Sequence, residues 1–374
     1  MAMNPAPISN PNLLSHLEVE EDIARAFVAG RLHHSIILAG EKGIGKATLA
    51  FRIARYAFVK GQGSGAASLF DTTLDIASAV PEHGFEDDEG EATSFEFTEA
   101  LAPAVLSKSG LDELDTSPLK LPRVHPIFER LASGGVADFK FVEREWTDEA
   151  KTKRKTEISV EQIRALKSFF ATTPSEEGWR IAVIDSLDEM NANSRNALLK
   201  LLEEPPEKSL LILISHNLNA VMPTIKSRCR IFRLGTLDEE EMGALLSTYA
   251  PEADKAALLA LAGGSIGRAL DLFDLGGLAL AKQFRESLPL VLAGKAEAAA
   301  PILAAVKGED SMRIFREIVM GHLRELALGA SLGEAERIFA AREEIIAKFD
   351  AYRVLNLDPG AVVAGVYEAL KNAV

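Results

Sequence analysis

The chain has 374 residues, of which 47% are hydrophobic, a formal net charge of −14 at pH 7 and one cysteine, Cys229. This length predicts two or three domains with ordinary cores, the acidic balance argues against a protein that wraps nucleic acid by itself, and the single cysteine excludes an intrachain disulfide or a multi-cysteine zinc site. Because neither a signal pattern nor a membrane-length apolar run occurs, we expect a cytoplasmic protein that meets no membrane and whose main partners are proteins.

A glycine-rich loop is the first stretch that indicates a chemistry. It follows Ser35–Ala39, an apolar run of strand length, and precedes a run with helical apolar spacing. Gly40, four residues, Gly45 and Lys46 have the spacing of a phosphate-binding loop. In such a loop Gly40, Gly43 and Gly45 let backbone N–H groups point at phosphate oxygens, and the lysine adds a point charge. The stretch therefore predicts a nucleotide site between a strand and a helix.

The residue after the lysine departs from this pattern. The pattern requires Ser or Thr there, because that hydroxyl helps to hold Mg²⁺, and this chain has Ala47. Thr48 comes one residue later, about 100° further around the helix. We keep both residues in the predicted nucleotide site, and we expect a loop that holds ATP or ADP without efficient turnover.

A long stretch without clear periodicity follows, and we predict an insertion with partial order from about 61 to 155. Acidic residues gather between Pro81 and Ala100, where no Lys or Arg occurs. A solvated loop is favoured there over a docking tail. The basic cluster Lys151–Lys155 closes the stretch, and in so acidic a chain a solvated turn is favoured over a contact with a DNA backbone.

Regular structure then resumes. Ser159–Gln162 is a capping-box pattern that starts a helix, and Trp179–Ile184 is an apolar strand that ends on Asp185. A carboxylate at the end of a buried strand, downstream of a phosphate loop, is where a Mg²⁺-organising group belongs. Hydrolytic proteins of this architecture usually carry Glu next, to polarise water, but here the residue is Ser186. Taking Asp188–Glu189 as the acidic pair instead would interrupt the apolar run with Asp185, so we reject that alternative.

Helices and strands continue to alternate after this point. Asn191–Glu204 is a predicted helix stopped by two prolines, Leu210–Ser215 is a buried strand, and Thr224–Cys229 leads into the strand Ile231–Leu234. Strands that alternate with helices predict an α/β fold with a parallel sheet covered on both faces.

The remainder of the chain is helical and rich in Ala and Leu. A second capping-box pattern occurs at Thr236–Glu239, Gly263–Arg268 interrupts the helices, and Pro359 begins the last one. We predict a nucleotide-loop domain over 1–235, a small helical lid domain over 236–277 and an all-helical domain over 278–374.

Four motifs occur in order between about Leu32 and Arg268, apart from the insertion. They are Gly-Ile-Gly-Lys46, Ile-Asp185-Ser-Leu-Asp-Glu-Met-Asn191, Leu-Leu-Lys-Leu-Leu-Glu-Glu-Pro-Pro206 and Thr-Ile-Lys-Ser-Arg228-Cys229. As a set they resemble the AAA+ clamp-loader family of bacterial DNA polymerase III. The resemblance implies a pentameric assembly with motor (tau/gamma) and delta subunits that opens a sliding clamp and places it on primed DNA, the tail forming a helical collar.

The resemblance also implies roles for single residues. Arg228 would be presented, as an arginine finger in trans, to ATP held by a neighbouring motor subunit, where a guanidinium stabilises charge on the transferred phosphoryl group. Arg268 resembles the family's second sensor arginine, and Ser215 lies at the position of the first sensor. The chain itself would be an accessory subunit of a nucleotidyltransferase holoenzyme, with weak or absent ATPase activity.

Departures from the family refine this expectation. Many relatives carry a four-cysteine zinc module after the first helix, which this chain lacks, so we expect no zinc. Ala47 and Ser186 weaken metal grip and water activation, whereas Lys46 and Asp185 persist, so Mg²⁺-dependent binding of ATP or ADP without turnover is expected. Two alternatives remain: an active AAA+ ATPase motor, and a small-molecule P-loop kinase, which is disfavoured because the helical tail and Ser-Arg-Cys would have no task.

Overall fold

The structure is a computed structural model that describes residues 6–61, 110–147, 154–172, 174, 178–355 and 357–373. The predictions about the acidic run from Pro81 to Ala100 and about residues 151–153 of the basic cluster lie outside the described residues. In the part of the chain that the structure describes, no helix combines the length and the apolar character needed to cross a membrane.

Five parallel strands form one sheet in the order β2-β3-β4-β1-β5, which confirms the predicted α/β architecture. The strands are β1 (Ser35–Ala39), β2 (Phe139–Glu143), β3 (Arg180–Asp185), β4 (Ser209–Ser215) and β5 (Arg230–Arg233). The three inner strands are almost wholly buried because they read as continuous apolar runs and are covered on both faces.

Helices cover both faces of the sheet. They are α1 (Leu17–Val28), α2 (Lys46–Lys60), α3 (Gly110–Leu114), α4 (Ile127–Ala132), α5 (Val160–Ala171), α6 (Ala192–Glu203) and α7 (Pro223–Lys226). Successive residues of a strand face opposite sides, so Ile36 packs in the core with Leu49 of α2. Ile37 packs in the second core with Ile163 of α5 and Leu198 of α6. The phosphate loop therefore joins the inner strand β1 to α2, a helix anchored on one face.

The rest of the described chain is entirely helical. Its helices are α8 (Glu239–Tyr249), α9 (Lys255–Ala262), α10 (Ile266–Asp274), α11 (Gly277–Leu292), α12 (Ala300–Ala305), α13 (Glu309–Leu328), α14 (Leu332–Leu355) and α15 (Pro359–Ala373). Their buried faces continue the core that lies on the α2 side of the sheet. The predicted domain limits at 235 and 277 stay predictions.

Two local details differ from the sequence prediction. The interval from 61 to 155, predicted as an insertion, contains edge strand β2, which pairs with β3 from Phe139–Ile181 to Glu143–Asp185. Five residues of its second half are thus part of the sheet. The capping box of α8 is formed by Asp238 and Glu241 rather than at Thr236–Glu239, because the N–H of Leu237 bonds to the carbonyl of Gly264 and keeps the chain outside the helix. The box at Ser159–Gln162 forms as predicted.

Candidate functional site

The phosphate loop lies at the carboxyl end of β1, where the sequence predicts it. Gly43 and Gly45 have φ of 82° and 98°, left-handed values that favour glycine. Gly40 lies so close to the chain after β5 that an added Cβ would be 2.5 Å from the carbonyl oxygen of Leu234. These three glycines are therefore required by backbone conformation and by close approach.

Each carbonyl of the loop from Gly40 to Gly45 accepts a hydrogen bond from the protein. The donors are Lys46 Nζ to Gly40 (2.8 Å) and to Glu41, Ser265 Oγ to Lys42 (2.9 Å), Gly267 N to Gly43 (2.9 Å), His16 Nε2 to Ile44 (2.9 Å) and Leu49 N to Gly45 (2.9 Å). With its carbonyls engaged in this way, the loop offers its N–H groups to an anion. Three separate parts of the chain hold that arrangement: the N-terminal segment, α2 and the start of α10.

Lys46 and Asp185 both line the cavity in front of the loop. Lys46 is only 3% exposed, and burial lowers its pKa to about 8, although the charge of Asp185 acts in the opposite direction. Asp185 ends β3, and burial, reinforced by the charge of Glu189, raises its pKa to about 6. The cation and the carboxylate predicted from the motifs thus face one site.

The sequence lacks a hydroxyl directly after Lys46 and a carboxylate directly after Asp185, where Ala47 and Ser186 stand instead. Ala47 offers no hydroxyl at the start of α2, while Thr48 is buried in the cavity wall. Ser186 follows Asp185 and is fully buried. Across the described ranges, no group of three or more His, Cys, Asp or Glu side chains is placed to hold a metal ion.

The polar side chain that faces the site from the end of β4 is His216. Ser215, predicted at the first-sensor position, is fully buried, and its carbonyl accepts from the N–H of Gly40 at 3.2 Å. His216 lines the cavity, with Nε2 4.0 Å from Asp185 Oδ1. Burial and the charge of Lys46 lower its pKa to about 4, so the imidazole is neutral at pH 7. Asp188 fixes this corner by accepting from the backbone N–H of His216 at 2.6 Å.

Arg268, predicted as the second sensor, reaches the same cavity from the first turn of α10. Its guanidinium lies 2.9 Å from Glu317 on α13 and 3.7 Å from Glu41 in the loop, and it donates to the carbonyl of Ala262 at 3.0 Å. Arg324, also on α13, lies 3.7 Å from Glu41. The loop, the start of α10 and α13 are thus joined by one network of charges.

Strand β2 contributes two further side chains that the sequence prediction missed. Glu143 and Arg144 line the cavity at the end of β2. Arg144 pairs with Glu189 at 2.8 Å, and Glu143 pairs with Arg154 of the basic cluster at 2.5 Å. At least this residue of the predicted cluster is thus paired with an acidic partner.

Arg228 does not belong to this cavity. It pairs with Glu203 of α6 at 3.0 Å, donates to the carbonyl of Thr224 at 3.0 Å, and has a side chain that is 37% exposed. It precedes β5, whose Arg230 is in register with Ile36, whereas Gly40 lies beyond the other end of β1. At a rise of ~3.3 Å per residue, Ile36 and Gly40 are about 13 Å apart along the sheet, and Arg228 lies in the turn that leads into β5. Arg228 therefore lies near the amino-terminal ends of the strands, whereas its own phosphate loop lies at their carboxyl-terminal ends.

The match to a protein-family model lies in the middle of the chain. Residues 122–238 match a family model described as DNA polymerase III, delta subunit. A DNA polymerase III subunit delta' of Pseudomonas aeruginosa is 44% identical over 72 residues, which cover 19% of this chain and 22% of the relative. A DNA polymerase III subunit gamma of Buchnera aphidicola is 24% identical over 236 residues, covering 63% of this chain and 47% of the relative.

More distant likenesses extend the comparison. Replication factor C subunit 5 of Mus musculus is 29% identical over 128 residues, 32% of this chain and 38% of the relative. The chain thus spans less than half the length of these curated relatives. A solved gamma-subunit-related protein of Thermotoga maritima aligns at a TM-score of 0.38 with 20% identity, covering 63% of this chain and 83% of that one. That superposition is too loose to bear on function.

The parallel sheet, the phosphate loop and the helical second half define an α/β protein with a phosphate-binding loop between β1 and α2. The sequence matches confirm the predicted resemblance to the clamp-loader family. Within that family, the local likeness is to the delta' subunit of bacterial DNA polymerase III.

Proposed function

We propose that this chain serves as a delta'-type subunit of a bacterial clamp loader. It would assemble with motor and delta subunits and assist the ATP-driven opening of a sliding clamp and its placement on primed DNA. Its own loop would hold ATP or ADP almost without hydrolysis, and Arg228 would act on nucleotide held by the neighbouring subunit. The likeness to delta' and gamma subunits supports the assembly.

The position of Arg228 carries the proposal. An arginine at the amino-terminal end of the strands, on the side of the sheet that lies about 13 Å or more from its own phosphate loop, has no access to a nucleotide bound by its own chain. It is partly exposed, and it contacts Glu203 in a surface ion pair and the carbonyl of Thr224 by a hydrogen bond, so a neighbouring subunit can reach it. A guanidinium delivered to a γ-phosphate stabilises the charge that spreads over the transferred group.

The residues of the cavity fit a nucleotide, whereas of the groups that usually organise Mg²⁺ and its water only Asp185 is kept. The loop from Gly40 to Lys46 offers N–H groups and a cation, and Arg268 adds a second cation to the cavity lining. Mg²⁺ finds no ligand at Ala47, and Ser186 is buried and lacks the carboxylate that would polarise water. The residues present therefore support binding and orientation of a nucleotide by this chain and no hydrolytic step.

We also propose that residues 278–374 form the part that assembles with other subunits. Large apolar side chains are exposed at the junction of α13 and α14, where Leu328, Leu332 and Phe339 are 84%, 83% and 58% accessible. Exposed apolar groups that lie together are typical of protein interfaces. Residues 1–235 and 236–277 would then be the nucleotide-loop and lid domains.

Replacing Arg228 tests the proposal. Arg228→Ala should fold and assemble normally, because an exposed ion pair is worth at most about 1 kcal/mol. In a loader reconstituted with motor and delta subunits, clamp and primed DNA, it should slow hydrolysis at the neighbouring site by about 10³-fold or more. Arg233→Ala, which removes an exposed arginine at the other end of β5, is the matched control and should leave hydrolysis unchanged. Undiminished hydrolysis in an assembled Arg228→Ala complex would remove Arg228 from the mechanism.

A further inference from the structure

The guanidinium of Arg268 is held by protein oxygens at each of its three nitrogens. Nε lies 2.9 Å from a carboxylate oxygen of Glu317 on α13, Nη1 donates to the carbonyl of Ala262 at 3.0 Å, and Nη2 lies 3.7 Å from Glu41 in the loop. The side chain of Arg268 is only 15% exposed. A phosphate that pairs with this guanidinium must therefore compete with two carboxylates of the same chain.

The two carboxylates differ in how firmly they hold Arg268. Glu317 is the nearer one, and its side chain is 33% exposed against 46% for Glu41. A shorter and less exposed contact between opposite charges is screened less by water. Glu41 also has a second cation, Arg324, at 3.7 Å, so its charge is divided between two partners. Glu317 is thus the main partner of Arg268.

The pair lies in the wall of the nucleotide cavity. Arg268 and Glu317 line the same cavity as Lys46. The first turn of α10 is fixed to the loop, because the N–H of Gly267 donates to the carbonyl of Gly43 at 2.9 Å. Glu317 therefore places a negative charge beside the cation that the start of α10 presents to the loop.

We propose that Glu317 is a specificity-determining residue that keeps Arg268 from the nucleotide, so that the site does not distinguish ATP from ADP. This inference rests on the nucleotide binding proposed above. The loop N–H groups and Lys46 bind phosphates that both nucleotides share, whereas a free arginine would favour the additional γ-phosphate of ATP. With Glu317 present, a move of Arg268 to that phosphate leaves a partly buried carboxylate without its cation, and the loss offsets the gain.

Binding of ADP and of the β,γ-imido analogue of ATP by the purified full chain tests this. Wild-type protein should bind the two with affinities within about threefold of each other. Glu317→Gln keeps the size of the side chain and removes its charge, so it should bind the ATP analogue about tenfold more tightly than ADP, the value of one charge-assisted hydrogen bond. Adding Arg268→Ala should abolish that preference, because the preference acts through the released guanidinium. Glu325→Gln, at an exposed position of the same helix, is the matched control and should keep the wild-type ratio.

Several results would overturn the inference. A wild type that prefers the ATP analogue by about tenfold or more would do so, because Arg268 would then reach the γ-phosphate despite Glu317. A wild-type ratio in Glu317→Gln would also do so, as would a preference that survives Arg268→Ala. If Glu317→Gln fails to fold, Glu317→Asp, whose carboxylate is set back by a methylene, should shift the ratio in the same direction, and an unchanged ratio contradicts the inference. A chain that binds neither nucleotide also overturns it, but the role of Arg228 in a neighbouring site would stand, since that is measured in the assembled loader.

Discussion

Lys46 is the residue whose surroundings most directly shape binding. Burial puts its pKa at about 8 rather than above 10, so the ammonium is mostly charged at pH 7 and mostly neutral at pH 9. A bound phosphate stabilises the charged form, and binding above pH 8 must therefore take up a proton.

Nucleotide affinity should accordingly fall as the pH rises from 7 to 9, by up to about tenfold if Lys46 is charged in the complex. Calorimetric titration of ADP at several pH values measures this. Lys46→Met should bind weakly at every pH and lose the dependence. The same slope in wild type and Lys46→Met would show that another group is responsible.

Single residues of the site were predictable where the chemistry dictates a spacing. Gly40, Gly45 and Lys46 follow from the loop pattern, and Asp185 follows from its place at the end of an apolar strand. His216 was missed because a lone histidine after a strand resembles an ordinary surface residue. Strand alternation carries the missing signal: Ile214 and His216 both line the cavity, whereas Ser215 points to the other side of the sheet.

At the scale of elements, the contact between the start of α10 and the loop deserves a direct test, because one hydroxyl makes two bonds there. Ser265 Oγ accepts from the N–H of Arg268 at 3.2 Å and donates to the carbonyl of Lys42 at 2.9 Å, and Ser265 is fully buried. The side chain therefore caps the helix and fixes the loop together.

Ser265→Ala should lower the free energy of unfolding by about 2 kcal/mol, through a lost cap and an unpaired buried carbonyl. It should also weaken ADP binding several-fold, because the loop loses a support. Ser159→Ala, which removes the cap of α5, should cost about 1 kcal/mol and leave ADP binding intact. Urea unfolding and ADP titration of both variants provide the measurements. Equal ADP binding by Ser265→Ala and wild type would show that α10 does not support the loop.

The elements themselves were largely predictable, with two instructive exceptions. Inner strands β1, β3 and β4 read as apolar runs because both of their faces are covered. Strand β2 was not recognised, because an edge strand tolerates polar residues such as Lys140 and Glu143 and so carries a weak pattern. The start of α8 was misplaced because two overlapping capping patterns occur, and the bond from Leu237 to Gly264, distant in sequence, decides between them.

At the scale of the whole molecule, the sheet separates the phosphate loop from Arg228. The loop, Lys46 and Asp185 lie at the carboxyl-terminal ends of the strands, while Arg228 lies near their amino-terminal ends. The sequence alone indicated both groups but not their separation, which depends on strand order and register. A chain of this design is expected to bind nucleotide on one side and to act on a neighbour's nucleotide from the other.

The proposed lack of ATP hydrolysis has its cause at the carboxyl-terminal ends of the strands, beside the phosphate loop. Ala47 and Ser186 replace the two groups that would grip a metal and polarise water, and the described residues around them offer no substitute set of metal ligands. Hydrolysis by the isolated chain should therefore be close to the uncatalysed background, even where nucleotide is bound.

Steady-state ATP hydrolysis by the purified chain, in the absence of any other protein, tests this most directly. We expect phosphate release at background level, the same in wild type and in Lys46→Ala, under conditions in which the wild type binds ADP. Rapid phosphate release that Lys46→Ala abolishes would identify an active motor ATPase and contradict the proposed division of tasks.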